Sequence, residues 1–221
     1  VDKLLSKQPG ARERVQHQPS VPWRDVPALV KEVLHNGKRS LSKLMLEFLI
    51  LTATRSGEVR AMTWEEVDLE TSTWTVPAAR MKAKLDHRVP LSARAVEILE
   101  HQRTETGGDG IVFPSPRGKI PSDAILSKFL RDHSVKSSDP GRTATAHGFR
   151  SSFRDWASEN GYSRDLAERA LAHTINNATE AAYHRTDLLE QRRTMMEAWS
   201  SFACSTAGAS NVIALHKAAK Q

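Results

Sequence analysis

The sequence contains a single cysteine, Cys204, among its 221 residues. An internal disulfide is therefore excluded, which agrees with a reducing cytosol. Long apolar runs are also lacking: the longest, Leu44 to Leu51, is interrupted by Glu47 and is far shorter than the roughly 20 residues that cross a bilayer. The first ten residues are polar and have no apolar core of a secretory signal. We therefore expect no membrane segment.

Acidic residues are the scarcer of the two charge types. The chain has 32 Lys and Arg against 26 Asp and Glu, a formal net charge of +6 and a sequence pI of about 9.6. Such a basic balance is typical of nucleic-acid binding, although acidic substrates and anionic membrane surfaces also attract basic proteins. With 39% hydrophobic residues the chain can bury a core, which excludes a wholly disordered protein.

The pattern along the chain favours one main domain. Residues 1–20 are rich in Lys, Arg, Gln and Pro without periodicity, so we expect an interdomain linker there. The absence of an initiator methionine agrees with a fragment of a longer protein. Residues 21–202 are expected to form the domain, and residues 203–221 a tail. Within that tail, Val212 to Leu215 predicts a short strand that pairs with the chain's own sheet or with a neighbouring copy.

Periodicity and capping signals predict an α+β fold that is mainly α-helical with a small antiparallel β-sheet. The predicted helices cover residues 25–35, 41–53, 58–64, 93–102, 122–133, 146–159, 165–172 and 180–199, the last open to a break near Asp187. The two predicted strands, 73–76 and 88–91, are β-branched and aromatic and form a hairpin. Its tip is strongly basic and contains Arg80, Lys82, Lys84 and Arg88.

Several residue types in this pattern are suited to phosphate chemistry. His147 and Arg150 are three residues apart, a spacing that places both on one face of a helix. His173 ends an apolar helical turn, and Tyr183 follows ten residues later. Arg55 follows the apolar helix and precedes Ser56-Gly57. An anion beside it would offset the loss of its hydration. Each feature alone has an ordinary structural explanation: a solvated surface pair, a helix-end histidine, a core tyrosine, or an arginine in a salt bridge.

In combination and order, these residues resemble the catalytic domain of the tyrosine recombinases, the phage integrase family. The segment Leu51 to Val59 is similar to the family's first arginine box, and Lys82 has the spacing to Pro90 of the family's hairpin lysine. The segments Leu171-Ala172-His173 and Ala181-Ala182-Tyr183 are most similar to prophage and genomic-island integrases. Many relatives have glycine where this chain has Ala172. The similarity covers roughly residues 21–199 and implies the integrase catalytic-domain fold.

The resemblance implies a site-specific recombinase that cleaves and rejoins DNA through a 3′-phosphotyrosyl link, without a cofactor. Tyr183 would be the nucleophile, because a phenol forms a reversible phosphate ester. Arg55 and Arg150 would stabilise the charge on the phosphate, as forked guanidiniums do. Lys82 would protonate the leaving oxygen, with Lys84 as the alternative if the register differs by two, since both would then point to one side.

The remaining site residues have supporting roles under this resemblance. His147 would act as general base toward Tyr183 or as an acid on the return step, and His173 would bond a non-bridging oxygen or position its neighbours. Glu58 is expected to orient Arg55 or a histidine, although its position near a helix N-terminus is an alternative explanation. The hairpin residues that are expected to contact DNA are Lys84, Arg80 and Arg88.

The expected partners are double-stranded DNA attachment sites, further copies of the chain in a homotetrameric synaptic complex, accessory DNA-bending proteins and an excisionase. The place of action would be the bacterial cytoplasm, at the nucleoid. Two other functions stay open: a type IB topoisomerase, which shares the chemistry, and a DNA-binding module with a decayed site.

No metal site is expected from the sequence. His147, His173 and His184 lack close ligand spacing such as His-x₃-His, and no cysteine accompanies them. A metal held by carboxylates is also disfavoured, because a carboxylate-rich site would repel the phosphates of DNA.

Overall fold

One almost wholly apolar helix, Leu41–Thr52, organises the core of the domain. The computed structural model describes residues 18–173 and 186–205. Ser40 caps this helix at its N-terminus, and every residue from Leu44 to Thr52 is buried. Because its apolar side chains point in all directions, the helix has to be surrounded by other elements. It packs against neighbours on several sides, as the sequence predicts for a central helix.

The elements follow the chain in a simple order. The helices are α1 (Val26–Leu29), α2 (Leu41–Thr52), α3 (Ser56–Arg60), α4 (Ala93–Thr106), α5 (Ile125–Asp132), α6 (Gly148–Glu159), α7 (Arg164–Ala170) and α8 (Leu189–Ala203). A 3₁₀ turn at Trp23–Asp25 leads into α1, and a π-helical turn at Val30–Leu34 follows it. Further 3₁₀ turns lie at Trp64–Glu66 and Ala78–Arg80.

The sheet has three antiparallel strands in the order β1 (Val67–Asp68), β2 (Thr73–Val76) and β3 (His87–Pro90). Strands β2 and β3 form the predicted hairpin, with Trp74 opposite Val89. Strand β1 was not predicted, because two residues are too short to show an alternating pattern. The predicted fold class, mainly helical with a small antiparallel sheet, is confirmed.

Aromatic side chains join α8 to α6 beneath the site. Trp199 is fully buried and lies 5.2 Å from Trp156 and 5.7 Å from Phe153, measured between ring centroids. Its indole Nε1–H donates to the backbone carbonyl of Ile50, at 2.7 Å. Helix α8 is thereby tied to α6, which carries Arg150, and to the last turn of α2, which precedes Arg55.

Residues at both ends of the predicted domain make contacts with its core. Residues 18–20 belong to the expected linker, yet Pro19 is buried and its carbonyl accepts hydrogen bonds from the backbone and hydroxyl of Thr145. At the other end, Ala203, the first residue of the expected tail, is buried as the last residue of α8. The expected strand at residues 212–215 lies outside the described part of the chain.

Among the predicted helices whose bounds differ from the structure, two bear on the site. The helix expected at 58–64 is α3, which begins at Ser56 and ends at Arg60, because Glu58 accepts from the backbone N–H of Arg55 and caps the start. The single helix expected over 180–199 does not include residues 186–188: Leu188 has a left-handed backbone with φ of 52°, and α8 begins only after it. The break near Asp187 was the correct alternative.

Gly148 offers a test of how the start of α6 is positioned. A Cβ at this residue would lie 2.1 Å from the carbonyl oxygen of Pro19 and 2.8 Å from Cα of Ser20, both backbone atoms. We therefore expect Gly148→Ala to lower the free energy of unfolding by about 2 kcal/mol, as overpacking does. Urea denaturation followed by circular dichroism measures this.

Gly57 provides the matched control. It lies within α3, and a Cβ there would meet no atom within 4 Å. Gly57→Ala should raise the free energy of unfolding by roughly 0.5 kcal/mol, because alanine loses less backbone entropy in a helix. Equal stability of the Gly148→Ala variant and the wild type would contradict the close approach of residues 19–20 to α6.

Candidate active site

Arg150 lies at the centre of the site, on the first turn of α6. It is 4% exposed. Its Nη1 donates to the carbonyl of Ala53 at 2.7 Å, and its Nη2 donates to the carbonyl of Leu171 at 2.6 Å. These carbonyls follow the C-terminal ends of α2 and α7, where the helix dipole favours a cation. The guanidinium therefore closes the ends of two helices and joins them to a third.

Arg55 reaches the same region from the N-terminus of α3. Its Nη1 donates to Oε1 of Glu58 at 2.8 Å, while its backbone N–H donates to Oε2 of the same carboxylate at 2.8 Å. Glu58 is 5% exposed, so its carboxylate fixes the arginine firmly. Contact with Arg55 is one of the roles that the sequence predicts for Glu58. The Arg55 side chain stays 28% exposed and can meet a ligand from solution.

The two guanidiniums repel each other in the free protein. Burial and the positive charge of Arg55 lower the pKa of Arg150 to about 10. The carboxylates of Glu58 and Glu168 act in the opposite direction but do not restore its ordinary value. In addition, Nε of Arg150 is buried without a hydrogen-bond partner. An anion between Arg55 and Arg150 would relieve this repulsion, which makes the pair a suitable place for a phosphate.

His173 extends the site from the turn after α7. Its Nε2 accepts a hydrogen bond from Nη2 of Arg150 at 3.0 Å. The residue before it, Ala172, has a left-handed backbone with φ of 48°, the conformation that glycine adopts most easily. The alanine that departs from the family pattern is therefore accommodated with some backbone strain, and the turn still brings His173 to Arg150.

His147 stands at the N-cap of α6, just before the first helical residue. It is exposed, and the loss of surrounding water together with the positive charges of Arg150, Arg55 and His173 lowers its pKa. The predicted helix began at residue 146, two residues too early, but His147 keeps helical backbone angles. Phe149 points into the core as expected and is 1% exposed.

The sequence prediction missed His87, the first residue of β3. This histidine is 9% exposed, and burial followed by the charge of Arg192 lowers its pKa to about 4. The nearby carbonyl of Ala170, at the end of α7, acts in the opposite direction on this pKa, so strand β3 approaches the turn that carries His173. The alternation of β3 could have revealed it, because His87 shares a face with the buried Val89.

The two hairpin lysines lie in the turn between β2 and β3. Lys82 and Lys84 are both exposed, and neither belongs to a strand. The expectation that both point to one side rested on strand geometry, which residues 82 and 84 do not have. Lys84 has a left-handed backbone with φ of 56°, which changes the direction of the chain between them. The exposed Leu85 follows at the tip.

The two hairpin arginines are engaged in internal contacts. Arg80 donates through Nη1 to the carbonyl of Glu58 at 3.0 Å and through Nη2 to the carboxylate of Glu66. Arg88 holds Asp187 with two hydrogen bonds of 2.9 and 2.8 Å. These contacts favour a bracing role for Arg80, whereas Arg88 remains half-exposed and accessible.

A second buried arginine, also missed from the sequence, fixes the start of α8. Arg192 is 1% exposed. It donates to the carbonyl of Asp187 at 2.7 Å, to its carboxylate at 3.1 Å and to the carbonyl of Arg88 at 2.6 Å. Helix α8 is thereby bonded to strand β3. Asp187 accepts from two arginines, and this explains why the chain breaks from helical geometry at the residues before α8.

Tyr183 and His184 lie outside the described residues. Within residues 18–173 and 186–205, no group of three or more His, Cys, Asp or Glu side chains could hold a metal ion. In the same part of the chain, no helix is long and apolar enough to cross a membrane. The described site is therefore a set of two guanidiniums and two imidazoles, Arg55, Arg150, His147 and His173, supported by Glu58.

Comparisons with known proteins agree with this arrangement. The model of the phage integrase family matches residues 22–190. Among curated proteins, the prophage integrase IntA of Escherichia coli K12 is 32% identical over 91% of this chain and 48% of its own length. IntZ of the same strain is 36% identical over 88% of this chain and 46% of its own length. The integrase of enterobacteria phage P4 is 30% identical over 86% of this chain and 46% of its own length.

Solved structures share the fold. An integrase from mycobacterium phage Brujita superposes with a TM-score of 0.60 at 24% identity, over 86% of this chain and 59% of that one. The catalytic core of lambda integrase gives a TM-score of 0.53 at 19% identity, over 72% of this chain and 96% of that one. The chain belongs to the phage integrase family. It spans about half the length of the curated relatives named above.

The buried His87 predicts an acid-dependent loss of stability. Its pKa is about 4 in the folded protein and about 6.5 when unfolded, so the unfolded chain binds the proton first as the pH falls. The stability from this residue is present above pH 6.5 and is lost as the pH falls toward 4, by on the order of 3 kcal/mol. His87→Gln should show a shallower loss between pH 7 and pH 4 in urea denaturation.

His101→Gln is the matched control for this experiment. His101 lies on α4 and is partly exposed, and its replacement controls for the loss of a histidine as such. The same slope for wild type and His87→Gln would show that the buried ring does not take part in acid unfolding.

Proposed function

We propose that this chain is the catalytic domain of a tyrosine-type site-specific DNA recombinase that serves the integration or excision of a prophage or genomic island. The observation that carries the proposal is the meeting of Arg55 and Arg150 beside two histidines. Two guanidiniums that repel each other without a ligand are matched to the oxygens of one phosphodiester. The names of the relatives, prophage and phage integrases, support the same reaction.

In the proposed cleavage, the phenol oxygen of Tyr183 attacks the phosphorus of the scissile phosphodiester. The new bond is a 3′-phosphotyrosyl ester, and the bond that breaks joins phosphorus to the 5′ oxygen. His147 accepts the phenol proton, and Lys82 gives a proton to the departing 5′ oxygen. Rejoining reverses these steps on a new 5′ hydroxyl. The energy of the phosphodiester is kept in the ester, so the reaction needs neither a metal nor a high-energy cofactor.

Arg55 and Arg150 stabilise the negative charge that builds on the non-bridging oxygens during this attack. A preorganised donor of this kind contributes on the order of 3 kcal/mol, or a factor of 10² to 10³ in rate. The carbonyls of Ala53 and Leu171 hold Arg150 in place, and the carboxylate of Glu58 holds Arg55. Neither guanidinium has to search for its position once DNA is bound. His173 provides a further hydrogen bond to the same oxygens.

The hairpin tip is the proposed contact with the DNA near the cleaved bond. Lys82 and Lys84 are exposed there, and Arg88 is half-exposed beside them. Lys82 remains the proposed general acid, with Lys84 as the alternative, because the turn lets either lysine approach a bound strand. The internal contacts of Arg80 support an indirect role, in which it braces the hairpin against α3.

Relatives about twice as long as this chain suggest that further domains grip the DNA in the whole protein. For residues 21–202 alone, we propose weak and largely non-specific DNA binding that weakens steeply with salt. For the whole protein, the proposed partners are attachment-site DNA, further copies in a homotetrameric synaptic complex, DNA-bending proteins and an excisionase. A lambda integrase tetramer bound to a Holliday junction has the same fold, which supports the tetramer. The proposed place of action is the bacterial cytoplasm, at the nucleoid.

Covalent capture tests the nucleophile. Wild-type protein incubated with nicked duplexes of random sequence should form a covalent protein–DNA adduct on a denaturing gel. Tyr183→Phe should form none, because it lacks the attacking oxygen. Tyr162→Phe is the matched control: this ring packs on Trp156 at a centroid distance of 5.3 Å, and phenylalanine keeps that contact. The control should react as the wild type does.

The outcomes of this capture separate the alternatives. An adduct that persists in Tyr183→Phe rules out the assigned nucleophile. Relaxation of a supercoiled plasmid by the wild-type protein would favour a type IB topoisomerase. DNA binding without any adduct would favour a module with a decayed site.

A sulfur substitution tests the general acid. Lys82→Ala should slow cleavage of ordinary DNA by about 10² to 10³. On DNA in which sulfur replaces the 5′ bridging oxygen, the same variant should react within a few-fold of wild type, because a thiolate leaves without a proton. Arg150→Gln is the comparison, since its defect concerns the non-bridging oxygens and should persist on both substrates. If the sulfur-containing DNA restored cleavage by Lys84→Ala and not by Lys82→Ala, Lys84 would be the general acid.

A further inference from the structure

Glu168, on α7, contacts the proposed site through His173. The Nδ1–H of His173 donates to Oε2 of Glu168 at 2.5 Å, and the backbone N–H of His173 donates to the carbonyl of Glu168 at 3.0 Å. The other ring nitrogen, Nε2, accepts from Arg150. These partners assign the proton to Nδ1 and leave the lone pair of Nε2 directed at the guanidinium.

The carboxylate is itself held in a fixed orientation. Arg154, on α6, donates through Nε to Oε1 of Glu168 at 2.6 Å, so each carboxylate oxygen has one strong partner. Burial works to raise the pKa of Glu168, but the hydrogen bonds from Arg154 and His173 outweigh it and leave this pKa below its ordinary value. Glu168 is therefore a negative charge beside the imidazole at neutral pH, fixed by helices α6 and α7.

We propose that Glu168 is the positioning residue of His173: it holds the Nδ1 proton, directs Nε2 at the phosphate site, and stabilises the imidazolium that a bound phosphate requires. The inference rests on the proposed function, in which His173 bonds a non-bridging oxygen. In the free protein Nε2 accepts from Arg150. When a phosphate oxygen replaces Nε2 as the acceptor of the hydrogen bond from Arg150, His173 binds a proton from solvent at Nε2. The new Nε2–H then donates a hydrogen bond to that oxygen. No bond other than N–H is made or broken in this step.

The charges around His173 explain why the carboxylate is needed. Burial and the cations Arg150 and Arg55 disfavour the imidazolium, whereas the hydrogen bond and charge of Glu168 favour it, and together they leave the pKa of His173 below its ordinary value. His147 also faces this group across the site. Without Glu168, three positively charged or titratable neighbours would oppose protonation and nothing in the described contacts would offset them.

Two substitutions with opposite effects test the proposal. In protein carrying ¹³C- and ¹⁵N-labelled histidine, the ring signal of His173 is the one missing in His173→Gln. Glu168→Gln, which keeps the size of the side chain and removes its charge, should lower the pH midpoint of that signal. Arg154→Gln should raise it, because the carboxylate then serves the imidazole alone. Glu190→Gln on α8, an exposed glutamate, is the control and should leave the midpoint unchanged.

Cleavage kinetics provide a second measurement. Glu168→Gln should cut nicked DNA more slowly near neutral pH, on the order of tenfold, and should recover toward the wild-type rate as the pH is lowered and the imidazolium refills. A side chain that only stabilised the fold would not restore the rate in acid. Thermal denaturation of each variant shows whether a lower cleavage rate is caused by a loss of folded protein.

The results distinguish this inference from the proposed function. An unchanged His173 midpoint in Glu168→Gln, or shifts of the same sign in both variants, overturns the positioning role even if the wild type cleaves DNA. Midpoints that move in opposite directions as expected, in a wild type that forms no adduct with DNA, support the contact and overturn the recombinase reaction instead.

Discussion

The buried guanidinium of Arg150 is the interaction on which the rest of the site depends. A guanidinium that is 4% exposed has lost most of its water, and the loss is tolerable only if acceptors replace it. The carbonyls of Ala53 and Leu171 do so, and both follow the ends of helices, where the dipole adds further negative potential. The positions of α2, α6 and α7 are thus fixed relative to one another by one charge. An apolar side chain there would leave both carbonyls without their donor.

The two carbonyls do not fully compensate the buried charge of Arg150, and the remaining positive charge suits a site that binds a phosphate. Arg150 retains an unpartnered Nε, and Arg55 lies close enough to contribute to the lowering of its pKa. A protein interior optimised for stability would not keep two cations in this relation. The domain carries the repulsion because its other bonds are strong enough, such as the packing of Trp199 against α2 and α6. A phosphate between the two guanidiniums removes the repulsion, so part of the binding energy is present before DNA arrives.

Sequence patterns revealed residues whose spacing is local and missed those whose role depends on distant contacts. The central helix α2, the hairpin and the break near Asp187 follow from apolar pattern, β-branched residues and composition. The resemblance to the family found Arg55, Arg150, His147 and His173. In contrast, Glu168 lies five residues before His173, a separation that regular helical geometry does not bring together; only the turn after α7, with Ala172 in a left-handed conformation, closes that distance. Arg192 was missed because its bond to the carbonyl of Arg88 joins residues far apart along the chain, whereas the alternation of β3 could have revealed His87.

Both ends of the segment that carries Tyr183 are fixed to the same framework as the arginine pair. Before the segment, His173 is bonded to Arg150 and to Glu168 on α7. After it, the carbonyl of Thr186 accepts from Arg169, also on α7, at 2.6 Å, and Asp187 is bonded to the hairpin through Arg88. The described residues on either side of this segment are thus held by α7, and the carbonyl of Leu171 after this helix also holds Arg150, so the ends of the segment and the arginine share one support.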